Sequence, residues 1–193
     1  MVQRLDTIET ERLRLRPLTG DDLEPLAALG ADREVMRYIG SGKPQSRREA
    51  THWLDHLVAE AAAGPAGPAG LPGWRVVTAK SAGEWLGLAA LKCLAAQHAE
   101  AIGIESAVEL GYRLARRYWG QGYATELSRA LIRHGFDHVG LPLLVAIADA
   151  RNLASNRVLE KAGLVFRKTY AINGRTIRFF ALTADEYRQR QTD

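Results

Sequence analysis

Two stretches of the chain alternate polar and apolar residues with period two. They are Arg12-Leu-Arg-Leu-Arg16, and Val108 to Leu114, where Val108, Leu110, Tyr112 and Leu114 share one face and Glu109, Gly111 and Arg113 the other. This is the pattern of a strand with one dry and one wet side. Leu143 to Ala148 is an unbroken apolar run, as expected of a strand buried on both faces. Helical spacing governs the segments around Leu23, Leu26 and Ala27, around Trp53, Leu57 and Ala61, and around Ala124, Leu127, Ala130, Leu131 and His134. The first two open on Thr19 with Asp22 and on Ser46 with Glu49, a hydroxyl followed three residues later by an acid, which is a capping box. Asn152 to Ser155 offers caps for another helix through Glu160-Lys161 that ends at Gly163, and Thr183-Ala-Asp-Glu starts a short terminal one.

Trp74 to Ala79 and Glu84 to Leu91 flank Ser81-Ala-Gly83 as a hairpin, and Leu164 to Tyr170 and Thr176 to Leu182 form a second across Asn173-Gly174. Strand, helix and strand between Val108 and Ala148 make a βαβ unit, so those two strands should run parallel with a right-handed crossover. The sum is an α/β protein of the α+β type, with a mixed sheet of six to seven strands and about four flanking helices. Residues 61–73, AAAGPAGPAGLPG, read as a flexible surface loop, because repeated Gly-Pro neither continues a helix nor enters a sheet interior. That loop is no domain boundary, since the hairpin after it needs a sheet to join.

Composition narrows the class. At 193 residues the chain suits a single domain, 1–193, and 47% hydrophobic with 25% charged residues is a globular balance. Lys and Arg exceed Asp and Glu by 26 to 22, a net charge of +4 spread along the sequence. A nucleic-acid binder would gather that excess in one tract, so no nucleic-acid partner is expected. The N-terminus has no apolar targeting core and no apolar run approaches the ~20 residues that span a bilayer. A cytoplasmic protein without a membrane partner is the expectation. The single cysteine, Cys93, reads as a small semi-buried residue, with no paired His for nucleophilic work. Histidine pairs His52/His56 and His134/His138 lack the glutamate of a helical zinc motif, so no metal site is expected.

The chemistry concentrates in Glu109 to Gly122, ELGYRLARRYWGQG, a strand running into a basic turn before a helix. Arg117-x-x-Gly120-x-Gly122 brings two glycines where a backbone must approach an anion closely, at a helix start whose unpaired N–H groups face the same point. The stretch lacks the Gly-Lys-Ser/Thr ending of a nucleotide P-loop, and Thr125 stands where G-x-G-x-x-G would need a third glycine. A diphosphate held without metal fits better than a magnesium triphosphate.

Together with Leu110-Gly-Tyr112, Asn152-x-x-Ser155-Asn156 and Glu160-Lys-Ala-Gly163, this turn resembles the acetyl-CoA site of the GNAT superfamily of N-acetyltransferases. Within that superfamily it is similar to the branch of ribosomal-protein N-terminal alanine and serine acetyltransferases. The resemblance implies a mostly antiparallel sheet whose central parallel strands, the fourth and fifth of that fold, splay apart to admit the pantetheine arm. It implies that main-chain amides from Arg117 to Ala124, with Gly120, Gln121, Gly122 and Tyr123 between, cradle the pyrophosphate. Main-chain groups from Tyr112 to Leu114 would bond the pantetheine, Asn152 would orient it or tie together the strand end, and Arg116, Arg117, Arg157 and Lys161 are candidate partners for the phosphates.

Transfer of acetyl to an amine also asks for a base and for a proton on the departing thiolate. Glu109 is the first choice of base, with His98, Glu100 and Glu105 in the preceding loop as alternatives. The superfamily's tyrosine proton donor falls at Leu159 here, which leaves Ser155 as the hydroxyl able to donate or relay. Tyr112 and Tyr123 read as packing and pocket wall. Glu34 to Arg48, polar and glycine-containing, reads as a mobile wall of the acceptor site. The expected reaction is direct transfer from acetyl-CoA in a ternary complex to a primary amine, whether a protein N-terminus, a polyamine, an amino acid or an antibiotic. A CoA-binding module without catalysis is the alternative, suggested by the missing tyrosine, and a homodimer is a common state for such a chain.

Overall fold

The computed structural model describes residues 7–63 and 70–192. Their strands form one sheet in the order β1-β2-β3-β4-β5-β6-β8-β7. The strands are β1 (Ile8–Glu9), β2 (Leu13–Arg16), β3 (Gly73–Ala79), β4 (Trp85–Cys93), β5 (Val108–Leu114), β6 (Leu143–Asp149), β7 (Val165–Ile172) and β8 (Arg175–Thr183). All neighbours pair antiparallel except β5 and β6, which are parallel. The mixed, mostly antiparallel sheet is as expected, with two-residue β1 as the added strand.

Seven α-helices flank it among the described residues: α1 (Leu23–Ala31), α2 (Arg33–Met36), α3 (Arg47–Ala63), α4 (Ala96–Ile102), α5 (Tyr123–Arg133), α6 (Leu153–Ala162) and α7 (Ala184–Thr192). The elements not announced by the sequence, β1, α2 and α4, are too short to show a periodicity of their own. The 61–73 segment differs from the expected loop at both ends, because 61–63 continue α3 and Gly73 already belongs to β3. Its middle, 64–69, lies outside the described residues. Both capping boxes form: Thr19 N–H donates to Asp22 at 2.8 Å, and Ser46 N–H to Glu49 at 2.7 Å. The terminal helix repeats the device, with Thr183 N–H donating to Glu186 at 2.9 Å.

Alternation along β5 sets the two sides of the sheet. Val108, Leu110 and Leu114 join a core with Leu127 and Leu131 of α5 and Leu159 of α6. On the other side Leu26 of α1 and Leu54 and Leu57 of α3 pack with Val76 and Leu88. A third cluster, Leu94, Ala99 and Ile102, seats α4 against Val145, Phe179 and Ala181. The final hairpin turns through Asn173 and Gly174 at φ +50° and +70°, the positive pair that a two-residue hairpin turn requires.

The parallel pair is the departure from regularity. β5 is in register with β4 over its whole length, and β6 with β8 likewise. Between β5 and β6 only Val108↔Leu144 and Glu109↔Val145 are matched, after which the strands part. The β6-facing backbone groups of the second half of β5 are therefore left without strand partners, and such groups need another partner. Where β5 ends, Gly87 of β4 lies against it so closely that a Cβ would stand 2.0 Å from the Arg113 carbonyl oxygen and 2.8 Å from Leu114 Cα. Both neighbours are backbone and cannot swing aside. Gly87→Ala should therefore cost about 2–4 kcal/mol of stability, seen as a lowered midpoint of urea unfolding with an unchanged slope.

Candidate functional site

Two cavities meet where β5 and β6 separate. The first, about 640 Å³, is lined by Tyr112 and Leu114 of β5, Gly120, Gly122, Tyr123 and Ala124 of the turn, and Asn152, Ser155, Arg157 and Lys161 of α6 and its start. The second, about 610 Å³, opens on Lys92, His98, Glu109, Gly111, Arg113 and Arg175. Tyr38, Tyr112, Arg113, Asp149 and Ser155 line both, so the split in the sheet joins the two spaces.

The glycine turn is built as the sequence suggests. Gly120 and Gly122 sit at φ +73° and +82°, a region that costs other residues strain, and Gly122 is the N-cap of α5. A Cβ on Gly120 would meet nothing within 4 Å, so no protein packing explains its absence there. The first α5 hydrogen bond runs from Glu126 N–H to the Gly122 carbonyl at 3.0 Å, leaving the N–H groups ahead of it without helical acceptors. Their free donors and the helix dipole make the turn an anion site.

What holds the turn in place was not legible in the sequence. Arg12 of the loop before β2 reaches across to it: its Nε donates to Glu126 Oε2 at 2.6 Å and its Nη1 to the Gln121 carbonyl at 3.1 Å. Its guanidinium lies 4.4 Å from the centre of the Tyr123 ring. The Thr10 hydroxyl and the Arg12 N–H donate to the other Glu126 oxygen, at 2.5 and 2.9 Å. Burial disfavours the Glu126 charge, yet the three bonds donated to it and the Arg12 charge hold its carboxyl below the usual range.

Of the basic candidates, Arg157 and Lys161 border the first cavity, while Arg116, Arg117 and Gln121 stand outside its lining. Arg117 lies over the Tyr118 ring at 4.8 Å, and Gln121 Nε2 donates back to the Arg117 carbonyl at 2.8 Å. Asn152 caps α6, accepting from Ser155 N–H at 3.1 Å. The neighbouring Asn156 is buried and donates from Nδ2 to the Asp149 and Ala150 carbonyls at 3.2 and 3.3 Å, fixing α6 to the end of β6.

Ser155 Oγ and Tyr112 Oη share a hydrogen bond of 3.1 Å across the parted strands. Burial pushes the Tyr112 phenol up to about 12, against a small opposite effect of that bond. Leu159, at the place of the family tyrosine, is 2% exposed and belongs to the core.

Glu109 is buried and pairs with Lys92, its cross-strand partner on β4. His98 and Glu100 lie in helix α4 and not in a loop as expected, since Ala95 to Gly103 folds into two turns closed by Gly103 at φ +82°. Glu100 and Glu105 are exposed and border neither cavity. His98 does, and its Nδ1 is 2.7 Å from the Tyr170 hydroxyl of β7, a residue sequence reasoning missed. Burial lowers the His98 pKa, with Glu109 opposing and Lys92 assisting, so the imidazole is neutral at pH 7. Burial, and then the Glu109 charge, pushes Tyr170 up to about 12. Cys93, the last residue of β4, is exposed and not semi-buried. Among the described residues no helix is long and apolar enough to cross a membrane.

The comparisons with known proteins agree with this geometry. The model described as "Acetyltransferase (GNAT) domain" matches residues 12–165. The Aspergillus fumigatus protein named FsC-acetyl coenzyme A-N(2)-transacetylase is 29% identical over 167 residues, covering 85% of this chain and 67% of that protein. Bacillus subtilis YkkB, itself uncharacterized, is 32% identical over 161 residues, covering 83% and 86%. A Bacillus anthracis acetyltransferase of the GNAT family superposes with a TM-score of 0.76 at 21% identity, over 93% of this chain and 99% of that one.

The Arg12 clamp generates a test that needs no ligand. Arg12→Gln should speed hydrogen exchange at the Glu126 amide, which donates to the Gly122 carbonyl, by about tenfold, a local opening worth ~1.4 kcal/mol, with the core strands protected as before.

Proposed function

Because the chain belongs to the GNAT acetyltransferase family and is an acetyl-CoA-dependent N-acetyltransferase, we propose that residues 1–193 act as one domain moving acetyl directly to a primary amine in a ternary complex. The observation that carries this reading is the junction of two cavities at the parting of β5 and β6, one walled by an anion-binding turn and the other by a buried carboxylate. Acetyl-CoA enters from the first cavity. Its pyrophosphate rests on the Gly120 to Ala124 amides, Arg157 and Lys161 meet phosphate charge, and the pantetheine takes the backbone groups that β6 leaves open on β5.

The amine comes from the second cavity. An ammonium cannot attack, so Glu109 draws it in and accepts a proton, directly or through water. The amine nitrogen then attacks the thioester carbonyl, whose developing negative charge takes hydrogen bonds from β5 main-chain N–H groups. Collapse breaks the carbon–sulfur bond. The nitrogen gives up its second proton and the sulfur gains one, so the transfer balances without an outside acid. Ser155 is placed to relay that proton. Tyr112, at about 12, holds its proton more tightly than a thiol near ~8.5 does, so it steadies the thiolate by hydrogen bonding and is not the acid.

Glu109→Gln should lower kcat by about 10²–10⁴ while acetyl-CoA affinity, measured by calorimetry, stays within threefold of wild type. Unaltered turnover would remove Glu109 as the base. Gly120→Ala should do the converse, weakening acetyl-CoA binding by at least about tenfold while costing only about 1 kcal/mol of stability, since its Cβ meets ligand space and no protein atom.

A further inference from the structure

We propose that the acceptor amine carries a carboxylate, and that Arg113 is the residue that recognises it. The inference rests on the second cavity being the acceptor's. Of the β5 residues that line that cavity, Glu109, Gly111 and Arg113 alternate onto one strand face: an acid, a gap and a base. A Cβ on Gly111 would meet only the Trp74 ring, at 3.9 Å, so the floor between the two charges is open.

Arg113 is held but unpaired. Its guanidinium lies 4.6 Å from the Trp53 ring centre and 5.6 Å from that of Trp74, and those rings meet edge to face at 5.6 Å. Packing against two indoles restricts the plane of the fork, which is the preparation that two-point binding of a carboxylate requires. Burial lowers its pKa to about 10, so it remains a cation at neutral pH, at an energetic cost that no ion pair among the described residues offsets. Among the described residues no carboxylate forms a salt bridge with it. The carboxylate that electrostatically favours its charge, Glu109, is already taken by Lys92.

The rest of the cavity repeats this imbalance. Its other carboxylate, Asp149, is held by Arg151, which donates from Nε at 2.9 Å and Nη2 at 2.8 Å. Arg175, on the far wall, makes no salt bridge among the described residues. Both acids therefore have cations of their own, while two guanidinium groups have no carboxylate. A polyamine would bring further positive charge into this space. An amine with a carboxylate brings one charge of each sign, the ammonium toward Glu109 and the carboxylate across Gly111 toward Arg113.

The experiment measures CoA release with matched primary amines, each offered as carboxylate and as carboxamide: α-amino acids, β-alanine and 4-aminobutyrate, with spermidine as the polycation. The carboxylate members should show at least about tenfold higher kcat/KM, carried in KM, and Arg113→Gln should bring the ratio close to one while Arg113→Lys keeps part of it. Preference for carboxamides or spermidine, or a ratio that survives Arg113→Gln, overturns the proposal. A second measurement does not depend on transfer. Glutarate, titrated into protein with and without CoA, should change tryptophan fluorescence saturably through Trp53 and Trp74, and should not do so in Arg113→Gln protein of unchanged circular dichroism. Absence of saturation in the wild type sinks the carboxylate site. Saturation by glutarate without acetyl-CoA binding would instead sink the acetyl-transfer reading, and with it the acceptor assignment, and leave only the carboxylate site at Arg113 standing.

Discussion

The molecule depends on two strands that begin together and then separate. At Val108 and Glu109 β5 is bonded to β6, and beyond those positions each is held by its outer neighbour alone. Backbone donors and acceptors that face a gap inside a protein are costly unless something fills it. The outer pairings keep the gap from closing: β5 is locked to β4 over seven register pairs and β6 to β8 over seven. The cost is carried by the sheet as a whole, and the result is a slot of fixed shape through its middle. A main-chain-like arm with its own amides is the complement of such a slot.

Everything chemical in the site is arranged around that slot by elements far apart in sequence. The glycine turn at its mouth is positioned by Arg12 and Thr10, more than a hundred residues earlier, through Glu126. The floor of the acceptor side is the wet face of β5, and its walls come from α4, the loop after α2 and the β7–β8 hairpin. Tyr112 and Ser155, which line both cavities, share a hydrogen bond across the opening. Electrostatics follows the same geometry. Each acid in the acceptor space is neutralised by a designated cation, which leaves the arginines to set the charge that an acceptor meets.

The periodicities of single segments determined the elements that are long and regular: the alternation of β5, the apolar run of β6, the helices opened by Thr19 and Ser46, and the positive-φ turn at Asn173-Gly174. The glycine turn was legible for the same reason, because Gly120 and Gly122 are demanded by the local backbone geometry of positive φ. Family likeness then assigned that turn to acetyl-CoA. Helix α4 was hidden since its two turns carry too few apolar positions to show a period, and that hid the placement of His98 as well.

What only tertiary structure decided was partnership. No spacing announces that Lys92 will face Glu109, that Tyr170 will reach His98, that Arg12 will hold the turn or that two tryptophans will flank Arg113. Those contacts join residues from 17 to 114 positions apart. A local pattern records which face of its own element a side chain takes, and carries no term for what another element will bring opposite. Sequence thus determined the strand, the turn and the ligand class, while the sheet's pairing decided which charges in the site are spent on one another and which remain for a substrate.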